Sequence, residues 1–372
     1  MKKYDIAAFV WPAFTGDEMR TRMFWPNGEG EWQSVRTAEP KFEGHTQPRK
    51  PLWGYVNEAD PKVMEMEIDE ATKHGVNVFI YDWYWFDDRP FLENCLNDGF
   101  LKAANSDKMK FYVMWANHNV NHYWNKDYAD EDFANTLIWQ GGVDRTRFEK
   151  IVNRLIEKYF HLSNYYTIDG CPVFMIYELS TFIEGIGGLE EAKSALDWMR
   201  ERVKAAGFKD VHIQITGRGD DFKNVSGVDS TVLIDYSKAI KELSIDSLTH
   251  YQFVHFTDID RDYLEILEDV KSHWSDIEEK YGIPYYPHVS CGWDNNPRFK
   301  KFRHGIVKNN TPENFEKALR LAKDYADKYP ERTPLITINS WNEWTETSYL
   351  EPDDLYGYGY LDAIKKVFVD NK

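Results

Sequence analysis

The chain has 372 residues, of which 42% are hydrophobic, and a formal net charge of −17 at pH 7. This hydrophobic content allows a large core, and the negative charge argues against nucleic acid or an anionic membrane as a partner. The three cysteines, Cys95, Cys171 and Cys291, are far apart and lack CxxC spacing, which argues against a disulfide framework and a zinc site.

Apolar runs alternate with amphipathic helical segments along the whole chain. We predict strands at residues 4–11, 76–85, 110–117, 171–177, 211–216, 231–236, 285–290 and 335–339. Helices are predicted at 60–75, 89–105, 144–159, 189–207, 257–281, 312–329 and 358–369. This alternation, without a linker or repeat, predicts an α/β fold: a (β/α)8 TIM barrel with enlarged βα loops, forming one catalytic domain over residues 1–372.

The first residues, MKKYDIAAFVWPAF, are predicted to form a strand rather than a secretion signal. Asp5 interrupts the apolar run, and no small-residue cleavage site follows it. The location stays open between the cytoplasm and, if a leader was removed before this numbering, the periplasm or cell surface. No stretch approaches the roughly 18–20 apolar residues that a membrane span requires.

Aromatic side chains, acids and amides follow the predicted strands. The chain contains 14 Trp, 23 Tyr and 22 Phe, whose flat rings suit the apolar faces of sugars. Since the active site of a (β/α)8 barrel lies at the C-terminal strand ends, these residues predict a sugar cleft. The predicted sugar contacts at strand ends are Asp82, Trp83, Tyr84, Trp115, Asn117, His118, Tyr177, Asn342 and Trp344.

Glu343 and Glu346 stand three residues apart in SWNEWTE, directly after the last predicted strand. Glycoside hydrolysis needs two carboxyl groups with different roles, and residues i and i+3 of a helical turn share a face. Neighbouring indoles would exclude water and raise the pKa of one carboxyl toward the range of a general acid. We predict that both glutamates are catalytic. For Glu351, a structural role and a peripheral sugar contact both stay open.

Four blocks of the sequence resemble the WbsX-like group of proteins, whose domain is similar to glycoside hydrolase family 99. They are residues 31–55 with 60–97, FYVMWANHN at 111–119, YYTIDGCPVFMIYE at 165–178, and 334–364, which contains SWNEWTETSYLEP. Together they span nearly the whole chain apart from residues 208–310. The resemblance implies a (β/α)8 barrel that acts on glycans and needs no metal or organic cofactor.

The paired glutamates of family 99 occur as Glu-x-x-Glu, which matches Glu343 and Glu346. The resemblance implies retention, with Glu343 as base on the substrate's own 2-hydroxyl and Glu346 as the acid that protonates the leaving oxygen. Such a reaction requires a sugar of α-mannose or α-rhamnose configuration. Two positions depart from the group: Thr347 stands where a glycine is usual, and Asp82 where many relatives differ. Mannose specificity therefore does not carry over.

We predict a retaining glycoside hydrolase whose partner is an oligosaccharide or polysaccharide. His45 and Gln47, in the loop GHTQP, are predicted contacts at the rim of its cleft. Two alternatives stay open: a glycosyltransferase of surface-polysaccharide synthesis and a non-catalytic glycan-binding barrel. A nucleotide-binding loop or a DxD motif after a strand would favour the transferase, and the sequence shows neither. No histidine spacing predicts a metal site.

Overall fold

Eight parallel strands form a barrel among residues 4–16, 18–218 and 235–370, which the computed structural model describes. They are β1 (Asp5–Val10), β2 (Val78–Phe86), β3 (Lys110–Trp115), β4 (Cys171–Ile176), β5 (His212–Thr216), β6 (Ser247–Thr249), β7 (His288–Ser290) and β8 (Leu335–Asn339). The hydrogen-bonded order is β6, β5, β4, β3, β2, β1, β8, β7. Backbone bonds of Leu248 to Pro284 (3.0 Å) and Tyr286 (2.9 Å) join β6 to the segment before β7. The predicted (β/α)8 fold is confirmed.

Helices cover the outside of the barrel and follow the capping signals of the sequence. In the described ranges they are α1 (Trp32–Arg36), α2 (Pro61–His74), α3 (Arg145–Leu155), α4 (Leu179–Ile186), α5 (Leu189–Ala205), α6 (Tyr236–Glu242), α7 (Tyr263–Tyr281), α8 (Pro312–Asp327) and α9 (Gly359–Phe368). In α2, the Asp60 carboxylate accepts the Lys62 N–H at 2.8 Å, and Gly75 ends the helix with a φ of 97°.

Shorter elements lie in the enlarged loops between strands and helices. Two-residue or three-residue strands are Arg89–Phe91, Thr167–Ile168, Asn342–Glu343 and Ser348–Tyr349. Short helical turns are Met19–Met23, Cys95–Gly99, Phe100–Lys102, Ser106–Lys108, His122–Trp124, Ile156–Phe160, Phe253–His255, Asn296–Arg298 and Trp344–Glu346. The longest connections, 11–60 after β1 and 116–144 after β3, lie at the C-terminal side of the strands, where the predicted cleft is.

The sixth strand lies at residues 247–249. The prediction that residues 231–236 form this strand is wrong at residues 235 and 236, which begin a helix instead. Tyr236 begins α6, because the Asp235 carboxylate caps the helix by accepting the Lys238 N–H at 3.1 Å. Residues 231–234 lie outside the described ranges. The true strand has one apolar residue, Leu248, between Ser247 and Thr249, and so offers no apolar run to recognise.

Polar side chains inside the barrel explain that hidden strand. The Thr249 hydroxyl lies 2.7 Å from that of Thr337 on β8, and His288 Nδ1 lies 3.0 Å from the same Thr337 oxygen. All three residues are fully buried. Because hydrogen bonds satisfy these groups within the barrel, a polar residue at an inward position does not mark the end of a strand.

The segment predicted as one helix at 89–105 is divided. A two-residue turn at Asp87 and Asp88, with φ of 51° and 61°, folds Arg89–Phe91 back onto β2 as an antiparallel strand. Helical turns resume only at Cys95–Gly99 and Phe100–Lys102. The helix predicted from residue 257 begins later, at Tyr263. Within the described ranges, no helix is both long and apolar enough to cross a membrane.

Gly99 presses against the residue that leads into α2. A Cβ atom on Gly99 would stand 1.9 Å from the Glu58 carbonyl oxygen, whereas one on Gly170, with φ of 79°, would meet nothing within 4 Å. We expect Gly99→Ala to lower the free energy of unfolding by about 3 kcal/mol, because the backbone must move. Gly170→Ala should cost about 1 kcal/mol from its backbone conformation alone. Urea unfolding measures both, and equal losses would contradict the steric account.

Candidate active site

A cavity of about 600 Å³ opens at the C-terminal ends of the barrel strands. Aromatic rings form much of its wall, among them Trp11, Tyr84, Trp124, Tyr177, Tyr251, Trp293 and Phe299. Three acids, Asp82, Glu343 and Glu346, and two arginines, Arg298 and Arg303, complete its charged surface. The wall therefore combines flat apolar faces with carboxyl groups, as the sequence predicts for this end of the barrel.

One largely buried guanidinium, whose side chain is 13% exposed, bonds to both predicted catalytic acids. Arg298 donates from Nη2 to Glu343 Oε1 at 2.6 Å and from Nη1 to Glu346 Oε1 at 2.7 Å. Its Nε donates to Glu31 Oε1 at 3.1 Å, and Glu31 also accepts the Trp11 indole N–H. Charge-assisted bonds of this kind fix the orientation of each partner. The two catalytic candidates are therefore positioned together by a residue from the loop after β7.

The loop after β8 turns both glutamates toward the cavity. Asn342–Glu343 pairs antiparallel with Ser348–Tyr349, and Trp344–Glu346 forms a single helical turn between them. The Glu343 N–H is donated to the Ser340 hydroxyl at 2.7 Å. The spacing of three residues therefore places Glu343 and Glu346 on one side of a tight hairpin rather than along a longer helix.

Thr347, which follows the second glutamate, has left-handed backbone with a φ of 51°. This region favours glycine and is strained for a β-branched residue such as threonine. Its hydroxyl donates to the Asp294 carbonyl at 3.0 Å and accepts the Gln47 amide N–H at 2.9 Å. These two bonds offset part of the strain and connect Gln47 to the loop after β8.

Burial raises the pKa of both catalytic candidates. The pKa of Glu343 lies well above the usual carboxyl range because the group is buried and faces the charge of Glu346, while Arg298 opposes the rise. Burial also raises the pKa of Glu346, again against the effect of Arg298. Two buried carboxyl groups on one cation favour retention of a proton between them.

Asp82 joins this acidic pair through a tyrosine. The Tyr251 hydroxyl lies 2.8 Å from Asp82 Oδ2 and 3.3 Å from Glu343 Oε2. Burial raises the pKa of Asp82 well above its usual value, and its Oδ1 has no protein partner. Asp82 lines the cavity, and its Oδ1 is buried without a hydrogen-bond partner, so the hydrogen bonding of this carboxyl group is incomplete within the protein.

Six of the fourteen residues predicted for the site line the cavity. They are Asp82, Tyr84, His118, Tyr177, Glu343 and Glu346. The cavity wall does not include the other eight: His45, Gln47, Trp83, Trp115, Asn117, Asn342, Trp344 and Glu351. Strand alternation explains part of this division, because successive side chains point to opposite faces. Asp82 and Tyr84 face inward, so Trp83 between them faces the surrounding helices.

The residues away from the cavity have partners within the fold. The Trp83 indole donates to Glu93 at 2.7 Å, and Trp115 packs edge-on against Phe182. Asn117 bonds to the backbone of Glu178 through both its amide nitrogen and its carbonyl oxygen, each at 2.8 Å. These contacts support the loops that carry the cavity wall.

The rim and loop residues among these eight are also bonded within the protein. His45 Nε2 lies 2.7 Å from the Asp294 carboxylate, beside the Gln47–Thr347 bond. Asn342 donates to the carboxylate of Glu58 at 2.8 Å and to the Trp11 carbonyl at 2.9 Å. The bonds of His45, Gln47 and Asn342 therefore help to position the loop after β8.

Tyr251, His255 and Arg298 are among the wall residues that were not predicted from the sequence. Tyr251 and His255 follow β6, whose position was predicted wrongly. Burial lowers the pKa of His255 well below its usual value, so the ring is neutral, and its Nδ1 has no partner. Arg298 follows β7 by eight residues in SCGWDNNPR, where a lone cation among acids and amides was the available signal.

Three further buried glutamates lie behind the catalytic loop. One carboxylate oxygen from each of Glu58, Glu67 and Glu351 lies within 4.8 Å of the others. Glu351 accepts the Trp344 indole N–H and does not reach the cavity. Carboxylate oxygens at this spacing could hold a cation, since hard cations such as Ca²⁺ take oxygen ligands.

A family model described as Glycosyltransferase WbsX matches residues 6–364, which confirms the resemblance predicted from the sequence. The protein WxcX of Xanthomonas campestris pv. campestris, described as uncharacterized, is 26% identical over 347 residues. The aligned part is 92% of this chain and 46% of WxcX. The chain thus spans about half the length of the curated relative it matches.

Solved structures share the barrel fold. A family GH99 endo-α-mannosidase from Bacteroides thetaiotaomicron matches with a TM-score of 0.61 and 14% identity, covering 98% of this chain and 96% of that one. A structure described as a glycoside hydrolase-like protein matches with a TM-score of 0.63 and 15% identity, covering 99% and 94%. Both likenesses support the strand order and the arrangement of helices around it.

Removal of Arg298 should be strongly destabilising. Arg298→Met would leave Glu31, Glu343 and Glu346 buried without their cation, so we expect a loss of about 3–5 kcal/mol in unfolding free energy. Arg303→Met is the matched control, because the Arg303 side chain is 41% exposed and pairs with Asp130 at 2.9 Å. It should cost at most about 1 kcal/mol. Urea unfolding compares them, and similar losses would contradict the central role of Arg298.

Proposed function

The chain belongs to the WbsX family, and we propose that it is a retaining glycoside hydrolase that cleaves α-linked sugars of mannose or rhamnose configuration. The observation that carries this proposal is the pairing of Glu343 and Glu346 on one guanidinium in an aromatic-walled cavity. Retaining enzymes hold their two carboxyl groups closer together than inverting enzymes, which must admit a water molecule. Sharing one guanidinium supports the closer arrangement.

In the proposed first step, the substrate's own 2-hydroxyl is the nucleophile. Glu343 takes the proton of this hydroxyl while O2 bonds to the anomeric carbon. The bond from that carbon to the leaving oxygen breaks, and Glu346 gives its proton to the leaving oxygen. A 1,2-anhydro sugar remains in the cavity, with Glu343 protonated and Glu346 ionised.

In the second step, water opens this intermediate. Glu346 takes a proton from the water molecule, whose oxygen bonds to the anomeric carbon as the bond to O2 breaks. O2 recovers its proton from Glu343, so both glutamates return to their starting states. The two displacements each invert the anomeric carbon, and the product keeps the configuration of the substrate.

Hydrogen bonding and burial act differently on the proton shared by the pair. Both Glu343 oxygens accept hydrogen bonds, from Arg298 and Tyr251, which favours its ionised form. Glu346 Oε2 has no partner, which suits an O–H that donates to a leaving oxygen. Burial has the opposite effect, because it raises the pKa of Glu343 more than that of Glu346 and so favours the protonated form of Glu343. We assign the acid role to Glu346, because its Oε2 has no partner in the protein, whereas both oxygens of Glu343 already accept hydrogen bonds.

The proposed sugar contacts are the predicted residues on the cavity wall. Tyr84, His118 and Tyr177 surround the acids, and the rings of Trp11 and Trp124 lie beside Tyr84 at 5.7 Å between centroids in both cases. Aromatic faces can pack on the apolar face of a sugar ring, while polar groups between them bond to its hydroxyls. Asp82 Oδ1 is the unpartnered acceptor among them.

Glycosyl transfer from a sugar nucleotide is the second candidate, and the family description favours it. The charge of the cavity argues against it. Asp82, Glu343 and Glu346 would repel a diphosphate, and Arg298, already bonded to three carboxylates, has little capacity to bind one. Burial of carboxyl groups costs stability and raises their pKa values. A non-catalytic binding barrel would gain nothing from this cost, whereas a general acid requires a raised pKa. Hydrolysis without an added nucleotide distinguishes these possibilities.

Glu343→Gln and Glu346→Gln should separate the two catalytic roles. A glycosyl fluoride needs no acid, because fluoride leaves without a proton. In the first turnover, Glu346→Gln should therefore retain fluoride release from an α-mannosyl or α-rhamnosyl fluoride while losing about 100-fold or more on an O-linked substrate. Glu343→Gln should lose both reactions. Rates of fluoride release and of O-glycoside cleavage measure the difference.

The matched control for these variants is Glu331→Gln, an exposed acid before β8 at the opposite end of the barrel. It should keep wild-type rates with both substrates. The reverse pattern between Glu343→Gln and Glu346→Gln would exchange their roles. Full O-glycoside activity in both would show that the pair is not catalytic.

The pH dependence should be bell-shaped, with its optimum above the range of ordinary carboxyl groups. The active form holds one proton on the Glu343–Glu346 pair, and burial raises both pKa values. Activity falls as pH rises through the upper pKa, since the acid is lost, and as pH falls through the lower, since the base is protonated. In the first-turnover release of fluoride from a glycosyl fluoride, Glu346→Gln should lack the alkaline limb of the pH–rate profile. Persistence of that limb would contradict the assignment.

A further inference from the structure

Glu58, Glu67 and Glu351, here called the glutamate triad, form a second acidic cluster behind the catalytic loop. Glu58 precedes α2, Glu67 lies within it, and Glu351 follows the hairpin after β8. Their exposed fractions are 0%, 0% and 2%, so none of the three reaches solvent. One oxygen from each lies within 4.8 Å of the other two. Three carboxylates this close and this buried cannot all stay ionised without compensation.

The hydrogen-bond donors to the triad are neutral. Asn342 donates to both oxygens of Glu58 at 2.8 and 3.0 Å, and the Trp341 indole donates to Glu67 at 3.0 Å. Over the described ranges, no lysine, arginine or histidine forms an ion pair with any member. By contrast, the three glutamates Glu31, Glu343 and Glu346 all bond to the guanidinium of Arg298. The triad has the same number of carboxyl groups and no protein cation.

Unpartnered oxygen atoms within the triad indicate that it can accept a ligand. Glu67 Oε1 and Glu351 Oε1 are buried and have no hydrogen-bond partner. The hydroxyl of Tyr81, on β2, also has no partner, and the residue is only 1% exposed. Burial raises the pKa of Tyr81, and the charges of Cys95, Glu67 and Glu58 raise it further. Buried polar groups ordinarily have partners, so the unpartnered oxygens of Glu67 and Glu351 require an explanation.

We propose that the glutamate triad is a structural binding site for a divalent cation that prefers oxygen ligands, with Ca²⁺ the best match. Ligand oxygens about 2.4 Å from a Ca²⁺ ion lie at most about 4.8 Å apart, and one oxygen from each member of the triad lies within that limit of the other two. The three carboxylates supply hard oxygen donors. Mg²⁺ fits less well, because it demands near-octahedral geometry and keeps several waters, for which a fully buried site has little room.

The cation would stabilise the loop that carries the catalytic pair. Trp341, Asn342 and Trp344 bond to the triad, while Glu343 and Glu346 face the cavity. One face of the loop therefore depends on the triad, and the other carries the catalytic carboxyl groups. The role is structural, since no atom of the triad lines the cavity.

Metal analysis of the full chain, purified without chelator, tests the proposal directly. We expect about one equivalent of Ca²⁺ per chain by inductively coupled plasma mass spectrometry. Unfolding in EDTA followed by refolding without metal should lower Tm, and added Ca²⁺ should restore it more completely than Mg²⁺ or Mn²⁺, because a ligand of the folded state stabilises it. These readouts do not depend on hydrolase activity.

Glu67→Gln should lose the bound Ca²⁺ and the response of Tm to added Ca²⁺. The control is Glu70→Gln, one turn along α2, whose side chain pairs with Lys73 outside the triad. It should keep both. If Glu67→Gln does not fold, the metal content and the Tm response of the wild-type chain still decide the question. A wild-type chain without a divalent metal and without a Ca²⁺-dependent rise in Tm would overturn the proposal and indicate protonated carboxyl groups instead.

Discussion

The ion network of Arg298 is the interaction on which the active-site arrangement depends. One guanidinium bonds to Glu31 before α1 and to Glu343 and Glu346 after β8, and it reaches them from the loop after β7. Buried ion pairs gain little net stability but are costly to break, so they act mainly to fix geometry. A single cation among three carboxylates also leaves an excess of negative charge. The retention of a proton, which general acid catalysis requires, follows from that excess.

The loop after β8 connects two buried acidic clusters, which differ in how their negative charge is compensated. Glu343 and Glu346 on its cavity side share Arg298, and the triad on its other side has only neutral donors. The tight hairpin makes this possible, because neighbouring residues point to opposite faces. A change in either cluster should therefore be felt at the other through the short segment between them.

Much of the fold could be predicted from the sequence because its signals are local. Apolar runs such as those of β2 and β8 and the caps of α2 depend only on neighbouring residues. The sixth strand was missed because Ser247 and Thr249 are satisfied by bonds inside the barrel, which the sequence does not reveal.

The site was predicted in part, for a related reason. The Glu343–Glu346 spacing is local and was recognised, whereas the Arg298–Glu31 bond joins residues 267 positions apart. Trp83 and Trp115 were expected in the cleft because their strands end there, yet the two-residue period of a strand turns them outward. The triad was hidden in the same way, since Glu351 is far in sequence from Glu58 and Glu67.

The anomeric configuration of the first product is the most direct test of the proposed hydrolase. Purified protein would be incubated with a panel of α-mannosides and α-rhamnosides, without a sugar nucleotide, and followed by proton NMR from the first turnover. The account predicts cleavage with the α-anomer appearing first and the β-anomer only later, by mutarotation. Initial release of the β-anomer, or cleavage of no substrate in the panel, would contradict it.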